Sequence, residues 1–337
     1  MARSSERGFT LVELLVSLAL TLVVLGAAMT AFVQGSRSAS AGTLMGELNQ
    51  TLRASANQVI RDLLQTGQGI PTGGIPSPGG GTTAPLVRPG PLGADLTFDP
   101  QWTTLPAVSP GPSLGLLVNG VSTDLLTLLR HDPTLVAPEP LESLAPDGSS
   151  ITFPASVAVD DPATGIKPGD LIMFTNANGN ALQEVTAVFG RVVAFGGDAQ
   201  SGFNQRSAPE GSVLAIRNPD GSWPPTRVAR VLMITYYSAF TTGEGGTPSL
   251  MRRVNYDAER LIGYGVDGLQ VTWDLVDGVT NPANVDAPEP PNTPHQIRKA
   301  NLQLTARAVD PGTGEPLRAT LTTQVSLRSL AFVDRYR

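Results

Sequence analysis

From Phe9 to Val33 the chain runs for 25 residues with a single ionisable side chain, Glu13. As a helix rising about 1.5 Å per residue, that stretch reaches about 37 Å, more than the roughly 30 Å of a bilayer's hydrocarbon core. The pattern predicts a transmembrane helix over 9–33. The short polar stretch Met1–Gly8 before it carries Arg3 and Arg7. Basic residues on that side place the N-terminus in the cytoplasm and the bulk of the chain outside, a single-pass inner-membrane topology.

Past Val33 the pattern changes face. Leu44, Leu48, Leu52, Val59, Ile60, Leu63 and Leu64 recur at spacings of three and four, which predicts an amphipathic continuation of the helix over 34–66. Gly42 and Gly46 weaken the join, so one continuous helix or a break there both fit. Gly67, Gly69 and Pro71 end it. Residues 67–93 hold 15 Gly or Pro in 27 positions. We therefore expect 67–113 to be a linker with surface loops that contributes little core.

From 114 to 337 the signals are those of a β-rich extracytoplasmic domain. Strands are expected over 114–119, 124–130, 150–153, 170–176, 182–188 and 191–195, each bounded by Gly, Pro, Asn or Asp. Val228–Tyr237 is apolar on both alternations and reads as a central strand buried on both faces. Three segments then alternate strictly: Leu269, Val271, Trp273 and Leu275; Ala300, Leu302, Leu304, Ala306 and Ala308; Leu321, Val325 and Leu327. A period of two in consecutive segments predicts a meander with one dry face, the natural seat for the amphipathic half of the helix. A long loop is expected over 281–294. The fold class is α+β: a long N-terminal helix packed on antiparallel sheet, with Gly/Pro-rich loops.

Composition sharpens this picture by exclusion. A net charge of −6 with no basic run gives no footprint for phosphate backbones, so no nucleic-acid partner is expected. With no Cys, thiol catalysis, Cys-ligated zinc, disulfides and a lipoprotein anchor are all ruled out.

An ordinary secretory signal has an apolar core of about 7–15 residues close to a small-residue cleavage site. This run is longer, and Ala39-Ser40-Ala41 lies beyond a further polar stretch. Glu13 is the costly residue, because a carboxylate in hydrocarbon needs a partner unless it snorkels to water at the helix end. The residues Gly8-Phe9-Thr10-Leu11-Val12-Glu13-Leu14-Leu15, behind a short basic leader and before a long apolar stretch, resemble the prepilin signal of type IV pilins and pseudopilins. The resemblance implies that residues 1–8 are a leader cut by a prepilin peptidase at the Gly8–Phe9 bond. It also implies that the Phe9 amine is N-methylated and that Glu13 acts in assembly with other pilins through the N-terminal helix. Many larger filament-forming members carry a Pro within this helix; none occurs here between Phe9 and Ile70.

The chain's size, Gly169-Asp170-Leu171-Ile172 and the terminal series Val266–Arg328 resemble the larger minor pilins of the PilW-like group. They resemble, less closely, the J-type pseudopilins of type II secretion. The resemblance implies a structural protein that primes a pilus or caps its tip. The alternatives are a type II secretion pseudopilin and a tip adhesin or DNA-uptake component.

No pattern of catalysis emerges, so neither enzyme activity nor a cofactor is expected. His131 and His295 are the only histidines and lie 164 positions apart, a poor basis for a metal site. Asn176-Ala177-Asn178-Gly179-Asn180 reads as a hairpin turn, because Ala187 stands where an EF-hand calcium loop needs its bidentate Glu. Asp160-Asp161 and Glu139 with Glu142 read as solvated loop charges. No G-x-S-x-G, Walker or Rossmann glycine pattern stands in the context it requires.

Overall fold

A computed structural model describes residues 9–81, 84–100, 102–118, 120–135, 143–161, 164–197, 199–241 and 246–331. The leader Met1–Gly8 and the carboxylates Glu139 and Glu142 lie outside these residues.

One helix, α1, spans Leu11–Gln65, 55 residues without a break at Gly42 or Gly46. At about 1.5 Å per residue it is roughly 80 Å long. It stops at Thr66, which is extended and whose N–H donates to the Leu63 carbonyl. Gly67 then takes φ +81° and donates its N–H to Leu129, tying the helix end to the sheet.

The main sheet is antiparallel and seven-stranded, built from β1 (Val108–Gly111), β2 (Leu125–His131), β3 (Leu171–Asn176), β4 (Gly179–Glu184), β5 (Arg227–Phe240), β6 (Pro248–Val254) and β7 (Arg260–Tyr264). The long strand β5 organises it. Residues 227–231 pair with β3, 231–236 with β2 and 234–240 with β6. β1 pairs with β2, β4 with β3 and β7 with β6. The central strand expected over 228–237 is thus present, and its ends extend to 227 and 240. The strands β6 and β7 were not expected, since their polar and apolar positions follow no clean period.

A second, three-stranded sheet is the expected meander: β8 (Val266–Leu275), β9 (Ile297–Val309) and β10 (Pro316–Ser326), in that order. Its dry face carries Leu269, Val271, Trp273, Leu275, Ala300, Leu302, Leu304, Ala306 and Val325, all buried. The stripe Leu48, Leu52, Ala56, Val59 and Leu63 of α1 lies in the same core, as do Leu126, Leu128, Ile234, Tyr236 and Leu250 of the seven-stranded sheet. Full burial of Leu52, Val59 and Leu63 contributes about 1.5–3 kcal/mol each relative to exposure. Leu64, expected on the stripe, is 44% exposed, because the buried arc turns instead through Ser55 and Asp62.

Two larger cores lie beyond α1, besides a small one of Leu125, Tyr237, Ala239 and Met251. One joins a four-stranded sheet (Ser143–Leu144, Ser150–Thr152, Ala187–Phe189 and Val192–Ala194) to Phe174, Ala181 and Val228 of the main sheet. The other collects Leu129, Met173, Val231 and Met233 with Ile75, Leu86, Phe98 and Leu105. The segment 67–113, expected to add little core, therefore adds several buried side chains. Its glycines and prolines confine regular pairing to two to four residues at a time, such as Ile75–Pro76 with Thr104–Leu105 and Val87–Pro89 with Asp95–Thr97. The apolar residues between them still face inward.

Candidate functional site

The N-terminal end of α1 is closed by a capping box. Thr10 is the N-cap and its hydroxyl accepts from the Glu13 N–H at 3.3 Å. The Glu13 carboxylate in return accepts from the Thr10 N–H and the Thr10 hydroxyl, each at 2.9 Å. Two otherwise unpaired groups of the first turn are thereby satisfied, and a negative charge sits at the positive end of the helix dipole. The Thr-x-x-Glu spacing that builds this box is readable in the sequence, where Thr10 stands between Phe9 and Glu13.

Beyond that turn α1 presents apolar surface all round. Its most apolar 18-residue window is wholly unburied, and Leu11, Val12, Leu14, Leu15, Val16 and Leu18 are all exposed. Hydroxyls in this stretch are spent internally: Ser17 donates to the Glu13 carbonyl, Thr21 to Ser17 and Thr30 to Gly26, at 2.7–2.9 Å. Such i to i−4 bonds leave no polar side chain of this face needing water. A surface of this kind is stable only in lipid or against other apolar helices. Among the described residues, Glu13 is the one charge on it.

At the other end α1 is locked to the sheets by a buried polar cluster that the sequence reading missed. Asp62 Oδ2 accepts from Tyr236 Oη at 2.5 Å and from Arg252 Nε at 2.7 Å, with Asp62 3% and Arg252 12% exposed. Burial works against the charged guanidinium, but the Asp62 hydrogen bond and charge outweigh it and hold the Arg252 pKa above its ordinary value. Burial first, then the Asp62 charge, push ionisation of the Tyr236 hydroxyl far above the usual range. The signal available in the sequence was an Asp falling on the apolar stripe between Val59 and Leu63, a position that demands a partner.

The remaining candidates are set apart from one another. His295 Nε2 lies 3.0 Å from the Thr104 hydroxyl; burial, then the Arg298 charge, keep its pKa below the ordinary value. His131 ends β2 and packs its Cβ beside Gly69. Asn176–Asn180 forms the β3–β4 hairpin, with the Asn176 and Asn178 amides donating to the Ile216 carbonyl. Asp161 accepts from the Thr164 N–H in a loop. Asp170, of the Gly169–Ile172 motif, joins Asp132 around the buried Arg230 at 3.3 and 2.7 Å, an internal ion cluster.

The family model of the prokaryotic N-terminal methylation motif matches residues 3–29. No curated protein and no solved structure matches the chain. The motif covers the capped turn, Glu13 and most of the exposed apolar run, and the α+β layout behind it hangs from that single-pass membrane anchor. Motif and anchor helix together support the reading of this chain as a protein of the type IV pilin family.

Proposed function

We propose that the chain is a minor pilin of the PilW-like kind, cut by a prepilin peptidase between Gly8 and Phe9 and assembled into a pilus or pseudopilus, where it primes assembly or caps the tip. The reading places the N-terminus in the cytoplasm and residues 114–337, with the loops of 67–113, outside the inner membrane. The observation that carries it is the lone carboxylate of Glu13 at the head of an exposed apolar helix.

After cleavage the Phe9 nitrogen is a cation one residue before the helix cap. A neighbouring subunit's Glu13 can neutralise it, so that each charge loses its desolvation cost only when the helices dock in register. Glu13 already accepts two hydrogen bonds from Thr10, and a carboxylate has about four acceptor sites, so capping and pairing are compatible. The bulk of the ectodomain favours a terminal place in the filament over a repeating one.

N-terminal mass spectrometry of the protein from cells with and without their prepilin peptidase tests the cleavage. Methylated Phe9 is expected only with the peptidase, and an intact Met1 in both rejects the reading. Glu13→Gln tests the pairing, since the amide oxygen still caps Thr10 while the charge is gone. Normal processing with little protein in sheared filaments is the expected result.

A further inference from the structure

The three-stranded sheet has one sealed edge and one bare edge. The outer edge of β8 is closed group by group: the Leu269 carbonyl accepts from Asp124 N–H at 2.8 Å and Val271 N–H donates to Asp124 Oδ2 at 2.8 Å. Trp273 exchanges both bonds with Val285, and Leu275 N–H donates to Pro282. The opposite edge belongs to β10, which pairs only with β9. Leu327 N–H donates to the Arg298 carbonyl at 2.9 Å, which sets the phase of that ladder. Odd-numbered residues of β10 bond to β9. The N–H and C=O groups of Arg318, Thr320, Thr322, Gln324 and Ser326 point away from it, and among the described residues none of them has a backbone partner.

Bare edges invite pairing, and proteins blunt them with Pro, charge, bulges or short length. Here Pro316 and Arg318 guard one end, and Ala319–Ser326 carries no Pro, Gly or charge and three threonines. The side chains of the even positions are exposed and polar, whereas Leu317, Ala319 and Leu321 are half-buried against the core that holds α1. A strand added here would set apolar residues beside those three and polar ones beside Thr320, Thr322 and Gln324.

We propose that the free edge of β10 is a β-augmentation site that receives an extended segment of a different polypeptide, alternating apolar and polar over about five to nine residues. A second copy of this chain does not fit. Antiparallel pairing of two β10 edges reverses everything rigidly attached to them, so the two α1 anchors would point in opposite directions while sharing one membrane. Parallel pairing of identical edges needs a one-residue stagger that a two-fold axis forbids, and it sets the dry face of one sheet beside the wet face of the other.

The absence of native cysteine makes a single-site test direct. Thr322→Cys in the full-length chain, labelled with a photo-crosslinker in its native membranes, is compared with Val279→Cys on an 85%-exposed loop position. The expected result is an adduct from position 322 alone, whose attached peptide comes from another protein and alternates apolar and polar residues. Amide exchange across 316–327 should also slow about tenfold in membranes relative to detergent-solubilised protein. Thr320→Pro, introduced beside Thr322→Cys, removes an outward N–H and leaves the β9 ladder intact, and should abolish both while unfolding at the parent temperature; Gln324→Pro beside the same cysteine serves if that variant is unstable. An adduct to this same chain overturns the proposal in favour of self-association. Unchanged exchange, or an adduct that survives both proline variants, overturns it outright.

Discussion

Asp62 on α1 and Arg252 on β6, 190 positions apart in the chain, form a buried ion pair at 2.7 Å. The pair fixes the axial position of α1 over the sheets, because a one-residue slide of the helix moves Asp62 about 1.5 Å along the axis and turns it by about 100°. A pull on the membrane anchor therefore meets a directional lock as well as an apolar interface. Removing one partner leaves the other charge buried, so Asp62→Ala should cost about 3–5 kcal/mol, measured by chemical unfolding of the detergent-solubilised protein. Asp62→Leu with Arg252→Met should recover most of that loss. A double variant as unstable as the sum of the single variants would refute the coupling.

The same seat has a steric limit. A methyl group at Gly263 would overlap Ser55 Oγ of α1 and a Val266 methyl, so the glycine is there for close approach of helix to strand. Gly263→Ala should cost about 1–3 kcal/mol. Gly263→Ala with Ser55→Gly should restore part of it, since the clash is with that hydroxyl; the same unfolding assay reads both.

The Arg230 cluster gives two carboxylates opposite pH signatures. For Asp132, burial raises the pKa, but the Thr134 bonds and Arg230 outweigh it and leave the value below the ordinary one. Its folded form holds its proton less tightly than the unfolded chain does, so it contributes stability above the unfolded pKa that is lost as pH falls through the folded one. Asp170 is shifted the other way, because burial exceeds the help of the Lys167 N–H and Arg230. Its contribution is present below the unfolded pKa and lost as pH rises through the folded value. Below about pH 4 stability should fall less with acid in Asp132→Asn, and above about pH 4 the stability that Asp170 loses with rising pH should no longer be lost in Asp170→Asn. Identical slopes in the two variants would disprove the assignment.

Much of this arrangement was legible in the sequence where one physical period dominated. The stripe from Leu48 to Leu63 and the meander from Leu269 to Leu327 each bury one face of a regular element, and the anchor is one unbroken apolar run, so the pattern and the structure coincide. The middle of the chain was harder. Residues 67–113 place Ile75, Phe98 and Leu105 in a core through irregular backbone, where no period exists to be read. Strands β6 and β7 mix Arg252, Arg253 and Arg260 with apolar residues, because Arg252 turns toward Asp62 and Arg253 donates to the Asp257 carbonyl. Partners 190 positions apart are invisible to local spacing. At the candidate assembly end, Phe9 and Glu13 stood out by type alone, whereas the capping role of Thr10 needed the spacing rule and the geometry together.

The glycines inside α1 give the final prediction. A Cβ at Gly42 or Gly46 meets no atom of the folded chain, and both residues have helical neighbours on either side. Each glycine lowers helix stability by about 0.8–1 kcal/mol relative to alanine and in this subunit returns no contact. Gly42→Ala with Gly46→Ala should therefore raise the isolated protein's unfolding free energy and slow amide exchange across 38–50. If the glycines serve the assembled state, by letting a neighbour's helix approach or by easing the bend between membrane and filament, the same double variant will be more stable yet poorer at entering filaments. Stability and assembly moving together would remove any role for these positions beyond the helix itself.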